Sequence, residues 1–422
     1  MKITVIGGGS TYTPELFEGL IQRQGELGVT EVVLEDIAPD RLAPVEGFCR
    51  RMAAHQGAAF ALRATTDLDD ALAGATFVVM QIRVGGQEAR HRDEMRGLRH
   101  GLIGQETTGA GGFGKALRTV PVALGIAARV REKAPGAWLV NFTNPSGIVT
   151  EALLRHGGVP AVGLCNIPIE MKMETAKVLG VAPDAVELDW VGLNHLGWVR
   201  RITVEGRDIT AEVLGLFQGG RGPKNVPEID YPPEFFAAFG MIPSPYLRYF
   251  YATEEVLSEL QSRPRTRAQE VMEIERKLFE YYRDPTTFEK PALLSERGGA
   301  WYSRVALNVM EGLLSGRSRR EVVNTLGRGA VPGLPDDAAV EISCELSMYG
   351  VRPLPVAPLE EEILGLVRQV KSYERLTIEA AMRRSRRKAL AALMANPLVR
   401  TLEKARAVLA DLIESGDFVP AD

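Results

Sequence analysis

The chain has 422 residues, of which 45% are hydrophobic and 25% are charged, and its formal net charge at pH 7 is −4. This length exceeds one ordinary hydrophobic core, so we expect two closely packed domains, covering residues 1–190 and 191–422. A charge this close to neutral gives no electrostatic reason to expect nucleic acid or an anionic membrane as a partner, and we expect a small polar metabolite instead.

The cysteines favour a reducing compartment. Cys49, Cys165 and Cys344 are widely spaced and odd in number, which argues against a disulfide framework and predicts a cytoplasmic location. Met1 and Lys2 lead straight into a strand-like segment, so we expect no signal peptide. No uninterrupted apolar stretch approaches the roughly 20 residues that a membrane-spanning helix needs.

Short apolar runs alternate with helical patterns through the first half of the chain. The runs are Ile3 to Ile6, Glu31 to Glu35, Phe77 to Gln81, Ala137 to Phe142 and Ala161 to Leu164. This alternation predicts an α/β fold with a doubly wound parallel sheet and helices on both faces. Ligands of such sheets bind beyond the carboxyl ends of the strands, where Gly7, Gln81, Asn141 and Cys165 are expected.

The segment from Gly7 to Tyr12 is a Gly-rich turn between the first strand and a helix that begins near Thr13 to Glu15. Its backbone N–H groups suit a pyrophosphate. Tyr12, however, stands where the dinucleotide motif has a third glycine. The alternative is a turn that serves only packing. The next strand ends in Glu35 and Asp36, at the spacing of a carboxylate that binds a ribose diol, which favours NAD over NADP.

A second Gly-rich segment, Gly101 to Gly112, carries one carboxylate, Glu106, and is expected to be either a flexible connector or a lid. Arg83, Arg90 and Arg92 precede it. A guanidinium at these positions suits a phosphate, and solvated surface arginines are the alternative.

Cys165 and His195 each lie just beyond a predicted strand. A buried small residue and a hydrogen-bonded core histidine are the alternatives for each one alone. Together, a thiolate and an imidazole would hold a divalent transition metal and leave positions for substrate oxygens. The pair therefore predicts a metal site.

The pattern changes after Asp189, where an α+β second lobe is expected to begin. Trp198 to Ile209 reads as a hairpin around Glu205 and Gly206, and Arg267 to Tyr282 has apolar residues at helical spacing. Loops are expected at Gly219 to Pro233 and at Ile242 to Pro245. From Pro358 onward long amphipathic helices are expected to form a packed lobe or a subunit face.

Tyr246 follows the rigid Pro243-Ser244-Pro245 segment. A tyrosine there usually packs, yet near a cation it can act as a base.

Six segments together resemble glycoside hydrolase family 4, and within it the members that act on 6-phospho-β-glucosides. They are Ile6 to Ser10, Gly104 to Gly109, Asn141 to Pro145, Cys165 to Pro168, Gly192 to His195 and Ile242 to Leu247. The resemblance covers nearly the whole chain. It implies an NAD- and Mn²⁺-dependent hydrolase, or one that uses another divalent metal, with a Rossmann-like N-terminal domain and an overall likeness to lactate and malate dehydrogenases.

The resemblance also implies roles for individual residues. Cys165 and His195 match the metal ligands, Tyr246 matches the base, and Glu106 matches a carboxylate that keeps this tyrosine basic. The positions assigned to substrate are Arg90, Asn144, Asn166 and Arg267. The positions assigned to the cofactor are Gly7, Gly9, Ser10, Thr11, Asp36, Arg41, Gln81 and Asn141. Members that act on α-glucosides carry an Asp directly after the cysteine as proton donor, so Asn166 implies β-linked substrates and leaves the leaving-group acid unassigned.

The implied mechanism is an elimination. Hydride passes from C3 of the sugar to NAD⁺, Tyr246 takes the acidified C2 proton, the C1 oxygen leaves, water adds and the hydride returns. A lactate- or malate-like dehydrogenase and a non-catalytic NAD-sensing protein are the alternatives. We also expect a phosphorylated sugar as the substrate and a homodimer or homotetramer as the assembly.

Overall fold

The computed structural model describes residues 1–216, 231–298 and 301–422. The strands are β1 (Lys2–Ile6), β2 (Glu31–Glu35), β3 (Ala61–Thr65), β4 (Phe77–Met80), β5 (Trp138–Asn141), β6 (Ala161–Gly163), β7 (Val186–Leu193), β8 (Leu196–Val204), β9 (Arg207–Asp208), β10 (Ile242–Pro243), β11 (Arg319–Leu326), β12 (Ala339–Ser347) and β13 (Gly350–Pro353). The predicted loop at Gly219 to Pro233 lies, apart from its last three residues, outside the described ranges.

The α-helices are α1 (Thr13–Gln22), α2 (Gln24–Leu27), α3 (Pro39–Gln56), α4 (Leu68–Leu72), α5 (Gly86–Arg99), α6 (Gly109–Lys133), α7 (Ser146–Ala152), α8 (Asn166–Leu179), α9 (Thr210–Leu216), α10 (Pro233–Phe239), α11 (Arg248–Tyr251), α12 (Thr253–Ser262), α13 (Arg267–Arg283), α14 (Tyr302–Leu314), α15 (Glu361–Arg383), α16 (Arg386–Ala395) and α17 (Leu402–Glu414). None of the helices in the described ranges is long and apolar enough to cross a lipid bilayer.

The larger sheet of the described residues has nine strands in the order β13-β12-β11-β6-β5-β4-β1-β2-β3. Strands β1 to β6 run parallel in the doubly wound order 3-2-1-4-5-6, which confirms the predicted α/β class. The predicted strands are confirmed to within one or two residues. The sequence did not indicate β3, which is exposed or half-buried along its length, or the antiparallel strands β11 to β13.

The register aligns the carboxyl ends of the parallel strands. Ile6 pairs with both Glu35 and Met80, and Asn141 pairs with both Met80 and Gly163. The residues that leave these strands therefore lie side by side along one edge of the sheet, where ligands of doubly wound folds bind.

The smaller sheet contains β10, β8, β7 and β9. Strands β7 and β8 form a hairpin whose two-residue tip is Asn194 and His195. The predicted hairpin of β8 and β9 is confirmed, and its turn residues Glu205 and Gly206 have φ of 52° and 79°. The smaller sheet contacts the larger one through β12, since Ser343 Oγ donates to the Leu188 carbonyl at 3.1 Å.

The predicted helix at Arg267 to Tyr282 is confirmed as α13. In the C-terminal region, Ile363, Val367 and Val370 of α15 are buried, so their stripe belongs to a packed lobe. The predicted domain boundary at residue 190 falls within β7, and it stays a prediction.

Candidate active site

The Gly-rich turn after β1 is closed by backbone contacts that no larger residue would permit. The N–H groups of Gly7 and Gly8 both donate to the Glu35 carbonyl, at 2.9 and 2.6 Å. A Cβ at Gly8 would lie 2.8 Å from the Leu34 Cβ, and a Cβ at Gly9 would lie 2.8 Å from Asp36 Oδ2. The chain therefore forms a cradle without side chains at the start of α1, the feature on which dinucleotide phosphates bind.

Two of the predicted cofactor residues organise this cradle. Asp36 Oδ2 accepts from the Gly9 N–H at 2.9 Å, and Gln81 Nε2 donates to the Gly7 carbonyl at 3.2 Å. Thr11 is fully buried, and its hydroxyl has no hydrogen-bond partner in the described part of the chain. A buried hydroxyl without a partner beside a glycine cradle fits a polar ligand.

The remaining cofactor candidates have partners of their own. Ser10 Oγ accepts from the Tyr12 N–H at 3.2 Å. Arg41 donates to Glu275 at 3.2 Å. Asn141 is fully buried and donates to the Thr143 carbonyl at 3.2 Å, so it shapes the loop after β5. Their contact with a cofactor stays a prediction.

Glu106 is the centre of a buried charge cluster. Its carboxylate accepts from Lys115 Nζ at 2.5 Å, lies 3.3 Å from Arg90 Nε, and also binds the Arg83 guanidinium. Burial opposes ionisation of this carboxyl, but the three cations lower the pKa of Glu106 well below its usual range. Burial and the neighbouring Arg83 lower the pKa of Lys115 to about 8.

The Gly101 to Gly112 segment brings Glu106 to this position by packing tightly on itself. It is buried from residue 102 onward. A Cβ at Gly111 would lie 2.2 Å from the Gln105 carbonyl oxygen, and one at Gly112 would lie 2.4 Å from the carbonyl carbon of Thr107. The close packing argues against a flexible connector, because the glycines let the segment fold onto the first turn of α6. The expectation of a lid stays a prediction.

Tyr246 stacks on His195, with ring centroids 3.7 Å apart and planes inclined by 4°. Burial raises the pKa of Tyr246 well above its usual value, and Tyr249 and Cys165 act in the same direction. His195 has φ of 61° at the tip of the β7–β8 hairpin, and burial lowers its pKa to about 3. The candidate base and one candidate metal ligand are therefore in direct contact.

Cys165 precedes α8 and is 6% exposed. Burial, followed by the nearby Glu341 carboxyl, raises the pKa of its thiol well above the usual value, whereas a hydrogen bond to Asn194 lowers it. Within the part of the chain that the structure describes, no group of three or more His, Cys, Asp or Glu side chains could hold a metal ion. The candidate donors near Tyr246 are therefore the Cys165 sulfur and the His195 imidazole, and their role as a metal site stays a prediction.

A pocket lies next to Arg90. Arg90, Arg263, Arg265 and Arg267 line it together with Glu94. Glu94 is satisfied on both oxygens, because Oε1 accepts from Arg90 Nε at 2.7 Å and Oε2 accepts from the Ala268 N–H at 3.0 Å. Ion pairs offset part of this positive charge, because Arg90 also pairs with Glu106, Arg263 pairs with Glu259, and Arg267 pairs with Glu270 at 2.9 Å. The guanidinium groups still offer the N–H donors that suit a phosphate.

The two asparagines assigned to substrate lie after β5 and at the start of α8. Asn144 Oδ1 accepts from the Ser146 N–H at 3.2 Å, and Asn166 Nδ2 donates to Glu170 at 3.1 Å. Burial raises the pKa of Glu170 to about 7. The contact of either asparagine with a substrate stays a prediction.

Sequence reasoning missed several residues of this site. Thr107, Lys115, Arg263 and Arg265 were not predicted as site residues. Arg83 was expected, with Arg90 and Arg92, to suit a phosphate or to lie at the surface, and it pairs with Glu106. The alternating arginines at 263, 265 and 267 were a usable signal, because alternate residues of an extended segment lie on one side. Arg92 belongs elsewhere, since it pairs with Asp417 at 3.2 Å and its side chain is half exposed.

The chain is similar to known proteins along most of its length. Residues 2–181 match the family 4 glycosyl hydrolase model, and residues 190–399 match the model of the C-terminal domain of the same family. A probable 6-phospho-beta-glucosidase of Bacillus subtilis is 42% identical over 424 residues, which cover 98% of this chain and 96% of that protein.

The chain is also similar to solved structures. The 6-phospho-beta glucosidase of Thermotoga maritima, solved with NAD and glucose-6-phosphate, is 36% identical with a TM-score of 0.92 over 100% of both chains. It has also been solved with manganese, NAD⁺ and glucose-6-phosphate. A malate dehydrogenase of Plasmodium falciparum matches at 13% identity with a TM-score of 0.55, over 90% of this chain and 98% of that chain, which is a likeness of fold alone.

The dehydrogenase-like architecture predicted from the sequence is thereby confirmed. The alternative of a lactate- or malate-like dehydrogenase gains no support from a likeness of fold, because one fold hosts many activities. Full-length similarity at 42% identity, together with both family models, shows that this chain belongs to family 4 of the glycosyl hydrolases and is a glycosidase.

Proposed function

We propose that this glycosidase hydrolyses 6-phospho-β-glucosides to glucose 6-phosphate and an alcohol or a sugar, with NAD and Mn²⁺ or another divalent metal as cofactors. The stack of Tyr246 on His195 supports this most strongly, because it joins a candidate base to a candidate metal ligand. The relatives named above carry this activity in their names, and one was solved with both cofactors. Asn166 favours β-linked over α-linked substrates.

The residues present fit NAD. Gly8 and Gly9 leave no room for a Cβ against Leu34 and Asp36, which keeps the turn packed on the end of β2 at the start of α1, and Thr11 offers a buried hydroxyl without a partner in the described residues. Asp36 follows β2 at the position of a carboxylate that accepts from a ribose diol. These groups would hold the pyrophosphate and the adenosine ribose.

The residues also fit a divalent transition metal. Cys165 and His195 supply a sulfur and a nitrogen donor, and hydroxyls of the sugar would supply oxygen donors at the remaining positions. Both ligands must be deprotonated to bind. The raised pKa of the Cys165 thiol therefore makes metal binding release a proton.

When bound, NAD⁺ would accept and later return a hydride at C3 of the sugar, and the cation would withdraw electrons from the ketone formed there. Tyr246 takes the C2 proton. Because burial keeps this phenol protonated, it becomes a base only when a cation next to His195 lowers its pKa. Loss of the C2 proton expels the C1 oxygen, which takes a proton from water and leaves as the alcohol. The remaining hydroxide of that water adds at C1, and Tyr246, whose phenolic hydrogen exchanges with solvent, protonates C2.

The arginine pocket accounts for the 6-phosphate. Arg90 lies between the pocket and Glu106, so a phosphate bound there would place its sugar toward the charge cluster. Arg263, Arg265 and Arg267 follow one another along the segment that leads into α13. A desolvated guanidinium binds phosphate through charge-assisted, bidentate hydrogen bonds.

Release of p-nitrophenol tests this proposal. The substrates are p-nitrophenyl β- and α-glucosides, each with and without a 6-phosphate, in the presence and absence of NAD⁺ and Mn²⁺. We expect turnover only of the phosphorylated β-glucoside, and only with both cofactors. Turnover without NAD⁺, or equal turnover of the unphosphorylated glucoside, contradicts the proposal.

A further inference from the structure

The side-chain amide of Gln105 has an orientation that its neighbours determine. Its Oε1 accepts from the backbone N–H groups of both Thr107 and Thr108, the second at 3.0 Å. A backbone N–H can only donate, so the atom facing these two groups must be the oxygen and not the Nε2 amine. Gln105 is 6% exposed, and its side chain also hydrogen-bonds Tyr249.

The Thr107 hydroxyl lies between this oxygen and His195. It is 2.8 Å from Gln105 Oε1 and 3.0 Å from His195 Nδ1. Two oxygens at 2.8 Å require a hydrogen between them, and the Gln105 oxygen carries none, so the Thr107 hydroxyl donates its single hydrogen to Gln105. The same hydroxyl can then only accept from His195.

His195 Nδ1 must therefore carry a hydrogen. In a neutral imidazole the second nitrogen, Nε2, then has a lone pair and no hydrogen, which is the form that binds a metal. We propose that Gln105 and Thr107 are positioning residues that fix the Nδ1–H tautomer of His195 and so prepare its Nε2 as a metal ligand. For the metal this inference rests on the proposed function, whereas the tautomer follows from the hydrogen bonds alone.

The positioning also reaches the base. His195 stacks on Tyr246 with nearly parallel rings, so a rotation of the imidazole would disturb the tyrosine. Ligating histidines are generally oriented by an acceptor on their second nitrogen, and loss of that acceptor costs about 10- to 100-fold in metal affinity. Here the acceptor is a hydroxyl whose direction is set by a buried amide.

The tautomer can be measured on the metal-free, full-length protein labelled with ¹⁵N-histidine, by two-bond ¹H–¹⁵N correlation NMR. The chain has five histidines, and the His195→Gln variant identifies the signal. We expect a protonated Nδ1 and an unprotonated Nε2 in the wild type. An Nε2–H tautomer would overturn the inference.

Metal affinity supplies the second readout, with free Mn²⁺ followed by electron paramagnetic resonance. Thr107→Val removes the acceptor at nearly constant volume, and we expect the Mn²⁺ dissociation constant to rise about tenfold or more. Thr107→Ser restores the hydroxyl and should remain within about twofold of wild type.

Thr108→Val is the matched control. It removes a buried hydroxyl from the same segment that lies 3.4 Å from the same Gln105 oxygen and makes no described contact with His195. We expect wild-type affinity. An unchanged dissociation constant in Thr107→Val, or an equal loss in Thr108→Val, contradicts the inference. Hydrolysis by a protein with the Nε2–H tautomer refutes this inference alone, and the Nδ1–H tautomer without hydrolysis refutes the proposed function alone.

Discussion

Replacing Arg267 by alanine removes one guanidinium from the arginine pocket while leaving the reacting end of the site unchanged. Arg267 lies in the first turn of α13, and its side chain is 14% exposed. Nη1 donates to Glu270 at 2.9 Å and Nη2 donates to the Glu296 carbonyl at 2.6 Å. These two acceptors hold the guanidinium at the wall of the pocket, so it loses little entropy when a phosphate binds.

The expected magnitude follows from this partly desolvated position. A hydrogen bond to a charged group contributes about 2 kcal/mol, which corresponds to roughly a 30-fold loss in kcat/KM for the phosphorylated substrate. We expect the loss mainly in KM, because the phosphate binds in the ground state and in the transition state alike. The assay is release of p-nitrophenol from the 6-phospho-β-glucoside over a range of substrate concentrations.

Arg276→Ala is the control on the same helix. Its side chain is 55% exposed and pairs with Glu273 and Glu280 on the surface, so we expect unchanged kinetics. Equal losses in Arg267→Ala and Arg276→Ala, or a value within about twofold of wild type for Arg267→Ala, would refute the assignment of this pocket to the phosphate.

Three further substitutions probe the rest of the site. Cys165→Ser should abolish Mn²⁺-dependent turnover, whereas the NAD⁺ dissociation constant measured by calorimetry should stay unchanged. Full activity of this variant, or of the wild type in excess chelator, would contradict the assignment of Cys165 as a metal ligand. Asp36→Ala should weaken NAD⁺ binding about tenfold, since its carboxylate accepts from the Gly9 N–H. The variant should also bind NAD⁺ and NADP⁺ with more similar affinities, because this carboxylate is expected to accept from the ribose diol. An unchanged NAD⁺ dissociation constant would argue against a ribose contact. Burial raises the pKa of Glu341 from 4.5 to about 7, so only the folded protein binds this proton between those values. The free energy of unfolding should therefore fall by up to about 3 kcal/mol as pH rises through that window. Denaturant unfolding gives the free energy of unfolding at about pH 5 and about pH 8, and the difference between these two values should be smaller for Glu341→Gln than for wild type. Equal differences in the two proteins would contradict the raised pKa of Glu341.

The parallel half of the larger sheet was predictable because each strand buried on both faces is a short apolar run. Strand β3 escaped this signal, since Arg63 interrupts it at the sheet edge, where only one neighbour covers it. Strands β11 to β13 were missed for a different reason. Strand β11 joins the sheet by pairing antiparallel with β6, across a separation of more than 100 residues that no local pattern encodes. Strands β12 and β13 then extend the sheet by antiparallel pairing with the strand that precedes each of them.

Some residues of the candidate site could also be predicted from the sequence, and others could not. Cys165 and His195 attracted attention because each follows a predicted strand. The structure stacks His195 on Tyr246 and places Cys165 in the same buried cluster as Tyr246, whereas their joint role as metal ligands stays a prediction. The partners of Glu106 could not be predicted, since Arg83 precedes it by 23 residues and Lys115 follows it by nine, within α6. A lysine inside an apolar helix face gives no sign of its partner until the helix is packed.

The breaking of the C2–H bond is the central claim about how this enzyme works. A direct displacement at C1 never breaks that bond, whereas an elimination with Tyr246 as the base must break it. Turnover of a 6-phospho-β-glucoside in D₂O, followed by NMR of the isolated sugar phosphate, measures the difference directly. We expect deuterium at C2, no net accumulation of NADH, and loss of most of the rate in Tyr246→Phe. A product without deuterium at C2 would contradict the elimination, whatever the cofactor requirement.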